Sequence, residues 1–358
     1  MTAPQPSYPI LDVLIEQDAC FAIFRLPHET APRFVMQTSG TPSILRDIEE
    51  LNGQQGFVIA PFRTNATSPL IVLRPDRTTF PEVNISMRKD GQEKAYPQKH
   101  ISKNKVDYAH LFDRFHKPLA NGELKKLVLS RSKIIDRKDT FSAGRSFFNA
   151  AEKYPHSYVY LFHTPQSGTW LGSTPEILLR GARDEWHTVA LAGTRYPNSG
   201  TVTWDDKNLR EQHLVTSYLL KQLSSFHITP EINGPYTIKA GKLAHLRTDL
   251  SFNLPETPKL GTLLKALHPT PAVSGLPKDE AYRFIQHNEE QDRLYYSGFL
   301  GMLDTEAETD IYVNLRCMHI EENSLTLFAG SGLLVSSSLD DEWEETEHKL
   351  EVMLNILQ

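Results

Sequence analysis

Acidic side chains near the carboxyl end of the chain have a spacing that could bind a divalent cation. The segment DDEWEETEHK begins at Asp340 and has the periodicity of a helix. On a wheel of about 100° per residue, Glu342 and Glu345 lie at the edge of the apolar stripe, whereas Glu344 points into solvent. An ordinary i,i+4 ion pair between Glu345 and Lys349 is the alternative to a metal site.

A carboxylate on a second predicted helix is also in line with apolar residues. In DDKNLREQHLVTSYLL, Glu211 shares one helix face with Val215 and Tyr218. A desolvated carboxylate needs a cation or hydrogen-bond donors, and Mg²⁺ is commonly held by one or two carboxylates, waters and an anionic substrate group. Glu211 and Glu345 are therefore candidate Mg²⁺ ligands, although the spacing alone also fits ordinary helix ion pairs.

Two further residues have positions that suit general acid–base catalysis. In KLVLSR, strand alternation places Lys126 on the same face as Val128. An enclosed lysine has a lowered pKa and can act as a general base, whereas a lysine at an edge extends its ammonium group to water. In GSTPEILL, Pro175 fixes the backbone ahead of Glu176. Glu176 is a general acid with a raised pKa if it is enclosed, and a simple turn carboxylate if it is not.

Small residues and one arginine supply candidate groups for binding an anion. LAGT (191–194) and AGSG (329–332) allow the backbone to approach a ligand closely and to donate N–H groups. Plain glycine turns are the alternative interpretation of both. Arg316, the last residue of YVNLR, offers a guanidinium group to a carboxylate, unless it is a surface arginine.

Strands paired through short turns must position these candidates, with helices packed outside them. We predict strands at 21–27, 56–62 and 124–135, a hairpin of 158–163 with 169–173 and a hairpin of 311–320 with 325–330. We predict helices at 42–53, 107–116, 144–153, 207–223, 261–268, 278–291 and from 340 onward. Since strands mostly follow strands rather than alternating with helices, the predicted fold class is α+β with antiparallel sheets.

Composition and charge exclude several classes of function. The chain of 358 residues has 38 basic and 44 acidic side chains, a net charge of -6, and contains no basic block. Nucleic acid and anionic membrane surfaces are therefore not expected partners. The first residues lack the order of a signal peptide, and no apolar run approaches the ~20 residues that span a bilayer. Cys20 and Cys317 fit a reducing compartment, so a cytoplasmic location is expected.

Motifs along most of the chain resemble those of the chorismate-utilising enzyme family. They are KLVLSR (126–131), GSTPEILL (172–179), LAGT (191–194), DDKNLRE (205–211), LHPTPAVSGLPK (267–278), DRLYYSGFLG (292–301) and NLR…AGSG…EWEETEHK. The resemblance implies the fold of anthranilate synthase component I, a large sandwich of antiparallel β-sheets with helices on the outside. It also implies a single domain over 1–358, with a variable N-terminal part of the sheets at 1–117 and a chorismate-binding core at 118–355.

Within that family, LHPTPAV is similar to the isochorismate synthases. Ala272 stands where anthranilate and aminodeoxychorismate synthases carry threonine, and Ala192 stands where the latter use a nucleophilic lysine. The implied activity is Mg²⁺-dependent conversion of chorismate to isochorismate, the reaction of an isomerase (hydroxymutase). A salicylate synthase, an anthranilate-type synthase and a non-catalytic binding protein on the same scaffold are the alternatives.

The resemblance implies a role for each candidate residue of the acid–base pair and the metal site. Lys126 would activate water for attack at C2 of chorismate, and Glu176 would protonate the departing C4 hydroxyl. Glu211 and Glu345 would hold Mg²⁺, and Glu342 would reach the metal through water.

The same resemblance implies a set of substrate-binding residues. The set comprises Arg316 and Lys349, the backbone groups of Gly193, Thr194 and Gly330, and the pocket residues His268 and Ala272. Gln212 stands where the family usually has histidine, which leaves the environment of Glu211 open. No glutaminase subunit is expected, the chain is expected to be a monomer, and its product is expected to feed menaquinone rather than siderophore synthesis.

Overall fold

The computed structural model describes residues 8–81, 104–195, 202–240, 243–254 and 258–357. Within these ranges the chain forms seventeen β-strands and seven α-helices. The strands are β1 (Cys20–Arg25), β2 (Arg33–Gln37), β3 (Ser43–Leu45), β4 (Gly56–Ala60), β5 (Leu70–Leu73), β6 (Lys126–Asp136), β7 (Tyr158–Thr164), β8 (Gly168–Thr174), β9 (Ile177–Ala182), β10 (Glu185–Arg195), β11 (Glu231–Ala240), β12 (Leu243–Asn253), β13 (Gly275–Leu276), β14 (Phe299–Leu303), β15 (Thr309–Val313), β16 (Cys317–Ile320) and β17 (Ser324–Leu333). The helices are α1 (Tyr8–Glu16), α2 (Lys105–Ala120), α3 (Ala143–Lys153), α4 (Asp206–Ser225), α5 (Leu260–Leu267), α6 (Lys278–Asn288) and α7 (Leu339–Leu354).

The strands form two antiparallel sheets. One has eight strands in the order β13-β6-β17-β16-β8-β7-β1-β2, and the other has nine in the order β11-β12-β10-β9-β15-β14-β4-β5-β3. Every strand pairing within the described ranges is antiparallel. The strands of the first hundred residues, β1 to β5, complete one end of each sheet, so they share both sheets with the rest of the chain.

The largest apolar cluster combines side chains from both sheets. Tyr158 and Trp170 come from the eight-stranded sheet, and Ile59 and Tyr312 come from the nine-stranded sheet. Helices α1, α3 and α7 pack with the eight-stranded sheet through a second apolar cluster, whereas α4 and α5 contact strands of the nine-stranded sheet. The predicted α+β sandwich of antiparallel sheets with outer helices is thereby confirmed. None of the described helices is long and apolar enough to cross a membrane.

Local capping explains why the functional helices begin where they do. The Asp205 side chain accepts a hydrogen bond from the backbone N–H of Asn208 at the start of α4, and Ser338 accepts one from Asp341 at the start of α7. Each cap satisfies an N–H group that has no partner within its own helix. These caps fix the start of the two helices that carry Glu211, Glu342 and Glu345.

One predicted helix is wrong. Residues 42–53 contain the short strand β3 and a single 3₁₀ turn, Ile48–Leu51, rather than an α-helix. The backbone of β3 pairs with β5, and Asp47 caps the turn by accepting from the Glu49 N–H. Pairing with a distant strand therefore overrides the local helical pattern.

The predicted strand at 311–320 is also wrong as a single strand. It divides into β15 and β16, which belong to different sheets, and residues 314–316 form the connection. Arg316 has φ +43°, in the left-handed region that interrupts an extended chain. Residues 175–176 make the same change of sheet between β8 and β9.

Candidate active site

Most of the predicted site residues converge on one cavity between the two sheets. Its walls come from β6, β10, β12, β17, both sheet-to-sheet connections and helices α4 and α7. Nine of the twelve predicted site residues line it, namely Glu176, Gly193, Thr194, Glu211, Ala272, Arg316, Gly330, Glu345 and Lys349. Lys126, Glu342 and His268 are not part of its lining.

The two connections between the sheets place an acid beside a cation. Glu176 lies in the connection from β8 to β9, and Arg316 lies in the connection from β15 to β16. The Val313 N–H donates to the Glu176 carbonyl at 2.9 Å, and the Ser173 N–H donates to the Arg316 carbonyl at 3.0 Å. These backbone bonds fix the two segments side by side, so both side chains enter the cavity from a rigid support.

Glu176 has the environment of a general acid. Only 2% of the residue is exposed, and burial raises the pKa of its carboxyl group from 4.5 to about 7, against the opposing effects of Arg316 and Lys126. The Thr270 hydroxyl is 3.4 Å from Oε1. A carboxyl group with this pKa holds a proton near neutral pH and can donate it to a leaving group.

Lys126 is fully buried and paired with a carboxylate. Its Nζ lies 2.8 Å from Oε1 of Glu211, and its side chain has no exposed area. Burial raises the pKa of Glu211, but Lys126 and Lys207 outweigh burial and hold that pKa below its usual value. Gly332 allows this pairing, because a Cβ atom there would lie 2.2 Å from Glu211 Oε1. Lys126 thus stands directly behind a cavity-lining carboxylate.

The i,i+4 pair on α7 is present and faces the cavity. Lys349 Nζ lies 2.6 Å from Glu345 Oε1 and donates to the Gly330 carbonyl at 2.8 Å. The ammonium group is therefore held between a carboxylate and the AGSG strand. A Cβ atom at Gly330 would lie 2.7 Å from the Tyr296 hydroxyl, so glycine at this position permits the close approach of Tyr296 to the strand.

Glu342 is buried, not at the edge of the interior as the helical wheel predicts. Its side chain has no exposed area and forms an ion pair with Lys207 of α4. Burial and the charge of Glu345 raise the pKa of Glu342 to about 7. Lys207 was not among the predicted residues, although its i,i+4 spacing from Glu211 was a signal for a cation beside the acidic groups.

Glu211 and Glu345 could bind Mg²⁺ as a pair of carboxylate ligands, with other ligands completing its shell. Among the described residues, no three histidine, cysteine, aspartate or glutamate side chains are grouped so that they could hold one metal ion. Glu211 and Glu345 are hard oxygen donors that line the same cavity, with 12% and 18% of their side chains exposed. Mg²⁺ commonly binds through one or two carboxylates, with water and substrate completing its shell. These two residues match that arrangement.

The LAGT segment is a β-bulge within β10, not a turn, and it is fixed by α4 and by a histidine. Gly193 has φ +70°, and the Thr194 N–H donates to Asn208 Oδ1 at 3.0 Å, so this amide is already hydrogen bonded. His245 of β12 lines the cavity and contacts the Gly193 carbonyl at 3.0 Å. Sequence reasoning missed His245, because a single histidine in an alternating strand has no distinguishing pattern.

Gln212 anchors α4 to the sheet beneath it. Its Nε2 donates to the Ala190 carbonyl and to the Thr248 hydroxyl, both at 3.0 Å, and only 1% of the residue is exposed. The amide therefore orients the helix turn that carries Glu211. His268 is buried against Phe299, with ring centroids 5.0 Å apart, outside the cavity lining.

Size alone does not identify the site. A larger cleft of about 1790 Å³ lies near Phe24, Arg33 and Phe148. Arg33 in this cleft is paired with Glu29 at 2.6 Å and with Glu308 at 3.3 Å. The smaller cavity brings together Glu176, whose carboxyl pKa is raised to about 7, the cations of Arg316 and Lys349, and the carboxylates of Glu211 and Glu345.

Comparison with known proteins places this arrangement in a family. The family model described as chorismate binding enzyme matches residues 76–358. Isochorismate synthase EntC of Escherichia coli K12 is 32% identical over 252 residues, covering 66% of this chain and 63% of that protein. The chain therefore matches less than two thirds of the length of this curated relative.

Solved structures support the same assignment at the level of fold. MenF, the menaquinone-specific isochorismate synthase from Escherichia coli, has a TM-score of 0.79 at 22% identity, covering 99% of this chain and 93% of that one. Anthranilate synthase component I from Streptococcus pneumoniae TIGR4 has a TM-score of 0.67 at 16% identity, covering 94% and 90% of the two chains. With the family match over most of its length, this chain belongs to the chorismate binding enzyme family.

Proposed function

We propose that the chain is an isochorismate synthase that converts chorismate to isochorismate. The observation that carries the proposal is a cavity lined by the buried Glu176, whose carboxyl pKa is raised, with a buried lysine directly behind another of its lining carboxylates. Lys126 lies behind Glu211 on one wall, and Glu176 lies on the connection between the sheets. The similarity to isochorismate synthases adds support.

The reaction needs a base and an acid because water is a poor nucleophile and hydroxide is a poor leaving group. Lys126 is the proposed base that accepts a proton from the water that adds at C2. Glu176 donates its proton to the C4 hydroxyl, which leaves as water while the ring double bonds shift. One water enters and one leaves, so the net change is an isomerisation. Glu176 can donate because burial raises the pKa of its carboxyl group to about 7, so a large share of this group carries a proton at neutral pH.

The remaining groups of the cavity bind the charges of the dianionic substrate. Arg316 and Lys349 present two cations to it and are suited to carboxylates. Glu211 and Glu345 would hold Mg²⁺, which when bound supplies positive charge for the ring carboxylate. Glu342 would approach the metal only through water, since Lys207 already pairs with it. Ala272 and the β-bulge at Gly193 and Thr194 would form the cavity wall beside the substrate ring, whereas His268 packs against Phe299 outside the lining.

Further parts of the proposal concern organisation and context. We propose one domain with a chorismate-binding core at 118–355 and a variable part at 1–117. We also propose that the chain acts as a cytoplasmic monomer without a glutaminase subunit, and that its product feeds menaquinone synthesis. Complementation of a bacterial strain lacking its menaquinone-pathway isochorismate synthase tests the pathway, and sedimentation tests the monomer.

The decisive experiment is incubation of the purified protein with chorismate and Mg²⁺, followed by chromatographic separation of the products. Isochorismate is the expected product. Salicylate with pyruvate identifies a salicylate synthase, and anthranilate formed when ammonia is supplied identifies a lyase of the other branch. No turnover under these conditions contradicts the enzyme proposal and favours a binding protein on the same scaffold.

A further inference from the structure

We propose that His245 is a positioning residue that holds the Arg316 guanidinium and the β-bulge at Gly193 in the arrangement that receives the substrate. The inference rests on the proposed function of the cavity. His245 is 3% exposed and lines the cavity beside both groups. Its Nδ1 lies 3.0 Å from the Gly193 carbonyl oxygen, and its Nε2 lies 3.2 Å from Arg316 Nη2. One ring therefore joins two separate walls of the site.

The partners of the ring assign its tautomer. A carbonyl oxygen can only accept, so Nδ1 carries the proton and donates to Gly193. A neutral ring with Nδ1–H has a lone pair on Nε2, and the Arg316 guanidinium can only donate. The two contacts are consequently compatible with the neutral Nδ1–H form and with no other state of the ring.

The surroundings keep the ring neutral. Burial, followed by the positive charges of Arg316 and Lys349, holds the pKa of His245 well below 6.5. A second proton would place an imidazolium cation against a guanidinium cation and remove the acceptor for Arg316. His245 thus serves as a permanent acceptor rather than as a proton carrier.

Arg316 requires such an acceptor because carboxylates also attract it. Burial lowers the pKa of Arg316, and the charges of Tyr296, Glu176 and Glu345 act in the opposite direction. If the Arg316 guanidinium formed a direct ion pair with Glu176, it would lower the pKa of that carboxyl group and so oppose proton donation. The bond to His245 holds one end of Arg316 away from that pairing and leaves its other N–H groups for a substrate carboxylate.

Two substitutions separate the two contacts of the ring. In His245→Asn, the side-chain amide reaches the position of Nδ1 and retains the bond to Gly193, but nothing occupies the position of Nε2. In His245→Gln, the side-chain oxygen reaches the position of Nε2 and restores an acceptor for Arg316. We expect His245→Asn to raise the KM for chorismate about tenfold, the effect of one lost hydrogen bond to a charged group. We expect His245→Gln to recover most of that loss, with kcat within about threefold of the parent in both.

A double-mutant cycle with Arg316→Ala makes the inference specific. In the Arg316→Ala background, His245→Asn should change KM by less than about twofold, because the partner of Nε2 is already absent. His187→Asn on the neighbouring strand β10 is the matched control, since His187 does not line the cavity, and it should leave KM unchanged. Chorismate binding measured by calorimetry gives the same comparison for variants too slow to assay.

The outcomes separate this inference from the proposed function. Lack of turnover by the unsubstituted protein contradicts the function, whatever the variants show. Turnover with equal KM values in the Asn and Gln variants, or with full additivity in the cycle, overturns the role of His245 while leaving the function intact. A thermal unfolding midpoint for each variant shows whether a change in KM follows from loss of folded protein.

Discussion

Replacing Glu176 with glutamine should remove activity and, above neutral pH, make the protein more stable. The folded state binds the Glu176 proton more tightly than the unfolded chain, since burial raises its pKa from 4.5 to about 7. This contribution to stability is complete below pH 4.5 and is lost as the pH rises through about 7. At about 1.4 kcal/mol per tenfold change, ionised Glu176 costs about 3 kcal/mol at pH 8, and a glutamine avoids that cost because it does not ionise.

The assay is urea unfolding of the parent and Glu176→Gln proteins between pH 4 and pH 8. The difference in unfolding free energy should move by about 3 kcal/mol in favour of the variant across this range. The exposed Glu185→Gln on β10 is a control that should show no such trend. Turnover of Glu176→Gln should fall by about 10²- to 10⁴-fold, and kcat/KM of the parent should decline above pH 7. A stability difference that does not vary with pH refutes the reasoning.

Three further substitutions test other parts of the site. Lys126→Ala should abolish turnover and cost about 3–5 kcal/mol of stability, because it leaves Glu211 unpaired. Adding Glu211→Gln should recover most of that stability in urea unfolding. A double variant as unstable as Lys126→Ala would contradict the pairing of Lys126 with Glu211. Gly332→Ala should weaken Mg²⁺ binding in calorimetry at least about tenfold, because its Cβ would lie 2.2 Å from Glu211 Oε1; unchanged affinity argues against Glu211 as a ligand. Glu345→Gln should weaken Mg²⁺ binding about 10- to 100-fold, whereas the exposed Glu344→Gln should not, and equal effects would remove Glu345 from the metal site.

Local patterns predicted the functional helices well. The spacing of apolar residues and the capping side chains are contained in a few neighbouring residues, and α4 and α7 begin within one residue of the predicted positions. The wheel also separated exposed Glu344 from the inward-facing Glu345. It placed Glu342 too far out, because the wheel does not include Lys207, whose ion pair with Glu342 comes from another helix.

The sequence patterns did not predict that Glu176 and Arg316 lie on connections between the two sheets. A run such as IYVNLRCMHI has the composition of one strand, and alternation alone does not show which sheet each half joins. The division at residues 314–316 depends on pairing with β8 in one sheet and with β9 in the other. The same connections place the two side chains at the cavity, so the step that pattern reasoning missed is the step that builds the site.

The surroundings of the two cavity carboxylates give them different roles. Glu176 and Glu211 line one cavity, yet their pKa values move in opposite directions. For Glu176, burial outweighs the more distant charges of Arg316 and Lys126, so the group keeps its proton and can act as an acid. For Glu211, Lys126 in direct contact and Lys207 nearby outweigh burial, so the group stays ionised and can hold a cation. Surroundings that move two pKa values in opposite directions assign different roles to the two groups, and here the positions of Lys126 and Lys207 beside Glu211 decide which carboxylate stays ionised.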